Sequence, residues 1–277
     1  MKIADKIFTI LISKLLDPLH RLNSFPTYLS VSAENIISII RGKRVRFGTD
    51  EDGALFAEEE GKKLKFSNRR RGFWLYRNGI CVREDFFFKS YCLQNIDFKK
   101  EDIVFDCGAN SGDLFLKLSK LIDADNYYAF EPNPADYNVL CMNALGAKNL
   151  FNLALGNVDS ELTFYIATEG GDSSLVEPKK YDEKIIVRVA RGDSFMDERK
   201  INSIKLLKLE AEGFEPEILE GLGIMVRRCE YVAVDGGYER GKDSEQTLTT
   251  CTNHLLANGF EMIDIYFPWC RALYKRK

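Results

Sequence analysis

Asp106, Gly108, Asn110, Gly112 and Asp113 lie in the run Asp106-Cys-Gly-Ala-Asn-Ser-Gly-Asp113, and Glu131 stands nineteen residues past Gly112. Glycine lets backbone turn tightly and approach a ligand closely. The first N–H groups of a following helix are free to bind it. An acidic side chain at the end of the next strand can take both hydroxyls of a ribose. These residue types at these spacings predict a site for an adenine nucleoside, and charge indicates which one. A dinucleotide fingerprint requires glycine at 108, 110 and 113, whereas this chain has Asn110 and Asp113. A carboxylate at the helix start repels a pyrophosphate but suits a sulfonium and an ammonium group. Asp106, Asp113 and Glu131 around one pocket therefore favour S-adenosylmethionine. A nicotinamide dinucleotide is the alternative, and a glycine turn without a ligand is the bland one.

A second cluster could act on an acceptor. The run Lys208-Leu-Glu210-Ala-Glu212 reads as the end of an apolar strand expected over 204–210. Strand alternation puts residues 208, 210 and 212 on one side, with Leu209 and Ala211 opposite. A lysine and two carboxylates on one side of a buried strand are costly to desolvate unless they pair or act. A hydroxyl acceptor is un-ionised at neutral pH and needs a base as a bond forms to its oxygen. Glu210 is the first candidate for that base or for orienting the acceptor. Lys208 would tune its charge, and Glu212 is the second choice. Asp235 is a weaker candidate, and His254 is expected on the surface of its helix. The competing reading is a structural ion pair between Lys208 and one of the acids.

These residues work only if the chain brings them to one edge of a sheet. From residue 102 short apolar runs alternate with helical patterns, as βαβ units require. Strands are expected at 103–107, 127–131, 149–155, 204–210, 231–235, 261–267 and 272–275, and helices at 113–121, 134–145, 215–225 and 244–258. Segments 162–166 and 185–189 interrupt this rhythm and read as an inserted hairpin. The whole predicts a doubly wound, Rossmann-like α/β sheet over 96–277, whose ligands lie beyond the C-terminal strand ends.

Residues 1–95 read as an α+β extension. Ile3, Ile7, Leu11, Leu15, Leu19 and Leu22 form one apolar stripe, the mark of an amphipathic helix. Such a helix packs on protein, or gives residues 1–22 peripheral contact with a membrane surface. Pro26 ends it. A short helix is expected at 33–40 and a loop or hairpin at 49–61. Leu64 and Phe66, then Phe73 and Leu75, flank Asn68-Arg-Arg-Arg-Gly72 and read as strand, turn, strand. Lys62, Lys63, Lys65, Arg69, Arg70, Arg71 and Arg77 near Phe73, Trp74 and Tyr76 make this either a solvated basic hairpin or a holder for a phosphorylated or anionic glycan.

Composition narrows the function classes. The net charge of −3 over 277 residues gives no global field for nucleic acid. No apolar run reaches the ~18 residues of a membrane span. Seven cysteines without a CxxC spacing, with two histidines, argue against zinc and against a disulfide framework. A reducing cytoplasm fits best. A Mg²⁺ held by Glu210 and Asp235 is conceivable, but the expectation is no metal.

Further segments carry a resemblance. After Glu131 come Pro132-Asn-Pro134; the third strand contains Asn152-Leu-Ala-Leu-Gly156; a loop reads Gly170-Gly-Asp-Ser-Ser-Leu175. The fourth strand ends Lys208-Leu-Glu-Ala-Glu-Gly213, followed by Glu217-Ile-Leu-Glu-Gly221. Over roughly residues 100–270 this ensemble resembles the FkbM family of S-adenosylmethionine-dependent O-methyltransferases. The resemblance implies a class I methyltransferase sheet that takes S-adenosyl-L-methionine. It places the cofactor on Asp106, Gly108, Ala109, Asn110, Gly112, Asp113, Glu131, Pro132 and Ala154. It also implies methylation of a hydroxyl, often of a sugar in a glycan or natural product, with no nucleic-acid partner. One departure is visible. The family has Asp where this chain has Glu210, and the extra methylene moves the carboxylate outward. A binding module that has lost its chemistry is the remaining alternative.

Overall fold

The computed structural model describes residues 26–167 and 173–277. The stripe at 3–22 and part of the Gly170–Leu175 loop lie outside them. The chain divides into two compact units, with the division between Asp85 and Phe86. That is ten residues before the expected boundary, because Phe87, Tyr91 and Leu93 already belong to the apolar core of the larger unit.

In the first unit, α1 (Thr27–Ile40) is followed by an antiparallel sheet of β1 (Arg46–Thr49), β2 (Leu55–Glu59) and β3 (Lys62–Phe66). The expected hairpin around Asn68 is not formed. Residues Arg69–Tyr76 are helix α2, and Asn68 is its N-cap, accepting from the Arg71 N–H. Asn and Gly favour turns, but each has a second use. Asn caps helices as readily as it starts turns. Gly72 is buried against Phe66, whose ring would overlap a Cβ there. Three of the basic residues are drawn into pairs: Lys62 with Glu84, Lys65 with Asp50, and Arg77 with Glu34. The local excess of positive charge that would hold an anionic glycan is therefore reduced.

Helix α3 (Ile80–Ser90) leads to the larger unit, whose seven-stranded sheet has the order β12-β13-β11-β10-β4-β5-β6. Its strands are β4 (Val104–Cys107), β5 (Tyr127–Phe130), β6 (Asn149–Phe151), β10 (Ile204–Leu209), β11 (Cys229–Asp235), β12 (Phe260–Tyr266) and β13 (Arg271–Arg276). Strands β4, β5, β6, β10 and β11 pair in parallel, and β13 runs antiparallel to both β11 and β12. Helices α4 (Asp113–Leu118), α5 (Pro134–Asn143), α6 (Gly192–Glu198), α7 (Glu215–Leu222) and α8 (Leu248–Ala257) complete it. This is the doubly wound α/β fold. Among the described residues no helix is long and apolar enough to cross a membrane.

The expected strand over 149–155 is two strands. β6 ends at Phe151, and β7 (Ala154–Gly156) joins a second sheet, pairing with β9 (Glu183–Arg191), which pairs with β8 (Ser160–Ile166). The break falls at Asn152, whose side-chain amide donates to the carbonyls of Glu131 and Pro132. β8 and β9 are the inserted hairpin.

Two apolar layers cover the sheet, and strand alternation sorts residues between them. Phe105, Leu207, Leu209, Val232 and Val234 enter one cluster. Val104, Leu206, Tyr231, Ala233 and Leu273 enter the other, with Phe87, Tyr91 and Tyr127. Counting in twos along each strand, Asp106, Lys208, Asp235 and Arg271 all fall on the second face. The charged side chains of four adjacent strands therefore meet in one apolar layer.

Candidate cofactor and acceptor site

The glycine turn leaves the C-terminal end of β4. The Gly108 and Ala109 N–H groups both donate to the Phe130 carbonyl, tying the turn to β5. Gly108 has φ +76, and a Cβ there would overlap the Glu210 carbonyl oxygen. Asn110 adopts φ +47, a left-handed conformation that asparagine tolerates better than most residues. Its side-chain oxygen accepts from the Ser111 N–H at 2.9 Å and hydroxyl at 3.0 Å. Gly112, at φ +89, N-caps α4, and Asp113 is buried in the first turn. The Asn at 110 thus makes a bend for which a dinucleotide loop uses glycine.

Glu131 lies just past β5, 5% exposed. One carboxylate oxygen accepts from the Asn110 N–H at 2.8 Å, the other from the Asn133 N–H at 2.9 Å. Burial pushes this carboxyl up to about 8; the nearby Asp136 charge adds to the shift, and the two N–H groups oppose it. Each oxygen keeps lone-pair capacity for a further donor. Pro132 is half-buried, and its carbonyl is held by Asn152. Ala154 is buried in β7, paired with Val189 in the smaller sheet.

Asp106 was expected to face a bound cation. It is fully buried, and the cation it faces is internal. Lys208, its direct neighbour in the β10–β4 register, reaches it at 2.8 Å, and Tyr127 donates to its other oxygen. Lys208 also holds Glu210 at 2.9 Å and donates to the Gly108 carbonyl at 2.9 Å. Burial alone would lower this ammonium, but Asp106 and Glu210 outweigh it and hold it above its ordinary value. The competing reading of a structural pair is thus present, extended into a network.

Sequence reasoning missed the other end of that network. Arg271, 2% exposed, donates to Asp235 at 2.6 Å, Ser90 at 2.7 Å and Glu210 at 2.8 Å. Its guanidinium lies 4.2 Å from the Tyr91 ring centre and 5.0 Å from that of Trp269. Charges alternate along Asp106, Lys208, Glu210, Arg271 and Asp235. The Glu210 side chain is 18% exposed, against 1% for Asp106 and 5% for Asp235. It is the carboxylate of the chain that reaches outward.

Glu212 departs from the expected alternation. β10 ends at Leu209, and Glu212 has φ +50, so the strand rule does not extend to it. Its carbonyl accepts from the Ser174 hydroxyl. Buried Glu215, also missed, fixes this loop by accepting from the Ala211 and Gly213 N–H groups and the Thr247 hydroxyl. Its only sequence signal was an acid beside proline at a helix start. His254 is half-buried, and burial lowers its imidazole from the ordinary value.

The family described as Methyltransferase FkbM domain matches residues 106–262. The chain belongs to this family. The matched domain is described as a methyltransferase domain, which speaks against the nicotinamide alternative. The matched segment opens on Asp106 and contains the glycine turn, Glu131, Lys208 and Glu210. It stops short of Arg271. The chain is 24% identical over 142 residues to the 2-O-methyltransferase NoeI of Sinorhizobium fredii, covering 44% of this chain and 58% of that one. It is 25% identical over 159 residues to Methyltransferase 1 of Beauveria bassiana, covering 49% and 64%. The chain thus spans less than two thirds of the length of either relative. Among solved structures it is similar to an FkbM methyltransferase from Methylobacillus flagellatus, with 16% identity and a TM-score of 0.44, covering 69% of this chain and 47% of that one.

The residues present fit S-adenosyl-L-methionine. A nearly buried carboxylate with spare lone pairs suits a ribose diol. The Asp113 carboxylate at the start of α4 suits a cationic ligand.

Proposed function

We propose that this methyltransferase transfers the methyl group to a hydroxyl of a sugar, in a glycan or a sugar-containing small molecule. The observation that carries the reading is the outward-reaching carboxylate of Glu210, beside the glycine turn and at the end of β10. The name 2-O-methyltransferase borne by one relative supports oxygen as the acceptor atom. Gly108, Ala109, Asn110, Gly112 and Asp113 would hold the methionine end of the cofactor, and Glu131 the ribose, with Pro132 and Ala154 at the adjoining wall. The cofactor supplies a methyl group on a good neutral leaving group.

The protein's part is positioning and proton handling. Glu210 orients the acceptor hydroxyl and takes its proton. Lys208 and Arg271 fix the carboxylate from both sides, and Glu212 is a secondary acceptor contact. The apolar stripe at 3–22 supports peripheral contact with a membrane surface.

The test is transfer of a labelled methyl group to methyl glycosides, read by mass and by the position of the new methyl resonance. Activity is expected to survive EDTA, since Arg271 already bridges Glu210 and Asp235, the two carboxylates that could chelate Mg²⁺. Label found only on nitrogen or on phenols would reject the sugar-hydroxyl reading. Loss in EDTA with recovery in Mg²⁺ would reject the metal-free mechanism.

Glu131 makes a second prediction. At pH 7 its carboxyl, raised to about 8, is largely protonated in the free protein. Ribose hydroxyls that donate to it favour the ionised form. Binding should therefore release protons at pH 7, and affinity should rise from pH 6 towards pH 8 and then level. Calorimetry with S-adenosylhomocysteine in buffers of different ionisation enthalpy measures the release. Equal heats in all buffers, in the wild type as in Glu131→Gln, would remove Glu131 from the ribose.

A further inference from the structure

Trp269 is one of two tryptophans in the chain. It ends the short 3-10 turn Phe267–Trp269, between β12 and β13. That turn lies at the site edge of the sheet, because the next residue but one is Arg271 and the Cys270 carbonyl accepts from Gly236, just past Asp235. Trp269 is 39% exposed although its ring stands 5.0 Å from a buried guanidinium. Phe86 props it edge-on at 5.7 Å and also meets Tyr266 at 6.2 Å. Arg271 in turn holds Glu210. A large aromatic surface is thus kept partly open, braced from behind, one side chain away from the carboxylate that handles the acceptor hydroxyl.

Pyranose rings present one face of C–H groups, which stack on the electron-rich face of an indole while the hydroxyls point to polar partners at the rim. The partly exposed Glu210 carboxylate, held by the buried guanidinium that lies over the ring, provides such a partner. We propose that Trp269 is the acceptor platform: the sugar ring lies against the indole, which sets the hydroxyl opposite Glu210. This rests on the sugar-hydroxyl reading above. Trp269 is thereby a specificity-determining contact for the acceptor, with no part in cofactor binding.

The other tryptophan, Trp74, lies in the smaller unit. A Trp74→Phe enzyme therefore has Trp269 as its sole indole reporter. Its emission should shift saturably when methyl mannoside, methyl fucoside or methyl glucoside is titrated into the S-adenosylhomocysteine complex. The glycoside that shifts it should be the one methylated. Trp269→Ala should raise the KM for that glycoside by about tenfold or more, equivalent to about 1.4 kcal/mol. The dissociation constant for S-adenosylhomocysteine should not move, and Trp269→Phe should recover most of the loss. Methylation of a glycoside with no change in Trp269 emission, or a fall in cofactor affinity in Trp269→Ala, overturns the platform and leaves the sugar-hydroxyl reading standing. A shift with catechol and none with any glycoside, accompanied by methylation of catechol alone, overturns both.

Discussion

Glu210→Gln is expected to lose about 10²–10⁴-fold in kcat, the usual contribution of a general base, while binding S-adenosylhomocysteine as the wild type does. The structure makes this substitution clean. Lys208 keeps Asp106 when Glu210 loses its charge, and Arg271 keeps Asp235. No buried cation is left alone, so the fold should survive. The amide preserves the length and shape of the side chain but cannot take the acceptor proton. Thermal unfolding should change little, and single-turnover kinetics should place the loss in the methyl-transfer step. A Glu210→Gln enzyme with near-normal kcat would exclude Glu210 as the base and leave Glu212 as the remaining acid of the loop.

Lys208→Met should act through stability instead. It removes the partner of Asp106, which is 1% exposed in its side chain and would keep only the Tyr127 hydroxyl. Breaking a buried pair from one side costs about 3–5 kcal/mol, a large part of the ~5–15 kcal/mol that holds a domain folded. Urea midpoints should fall accordingly. The double substitution Lys208→Met with Asp106→Asn should recover part of the loss, because no buried charge is then left unpaired. Lys208 also binds the Gly108 carbonyl, so the single variant should bind cofactor more weakly as well. A loss below about 1 kcal/mol in Lys208→Met would show the pair to be solvated in solution, contrary to its burial here.

The sequence by itself determined the glycine turn after β4 and the fold around it. The glycines, Asn110 and Asp113 lie within one turn, and its backbone conformation follows from local residue types. Glu131 could be placed because a βαβ unit fixes where the second strand ends. Alternation of apolar runs was enough for the parallel sheet and for the inserted β8–β9 hairpin, since period-2 burial is a local pattern. Lys208 and Glu210 were legible as a costly group of charges on a buried strand.

Only the tertiary structure decided what those charges face. Asp106 and Lys208 come from strands about a hundred residues apart in the chain, yet they are register partners that neutralise each other. Arg271 is an unremarkable basic residue in sequence, before an apolar strand. It becomes the second clamp on Glu210 because β13 inserts antiparallel beside β11, opposite Asp235. Local patterns also misled where one residue type serves two ends. Asn68 and Gly72 resemble a turn but start and pack a helix. Glu212 has strand spacing but lies past the last ladder hydrogen bond. Propensity and period act over a few residues, whereas burial, ion pairing and strand neighbours depend on which distant segments the sheet brings together.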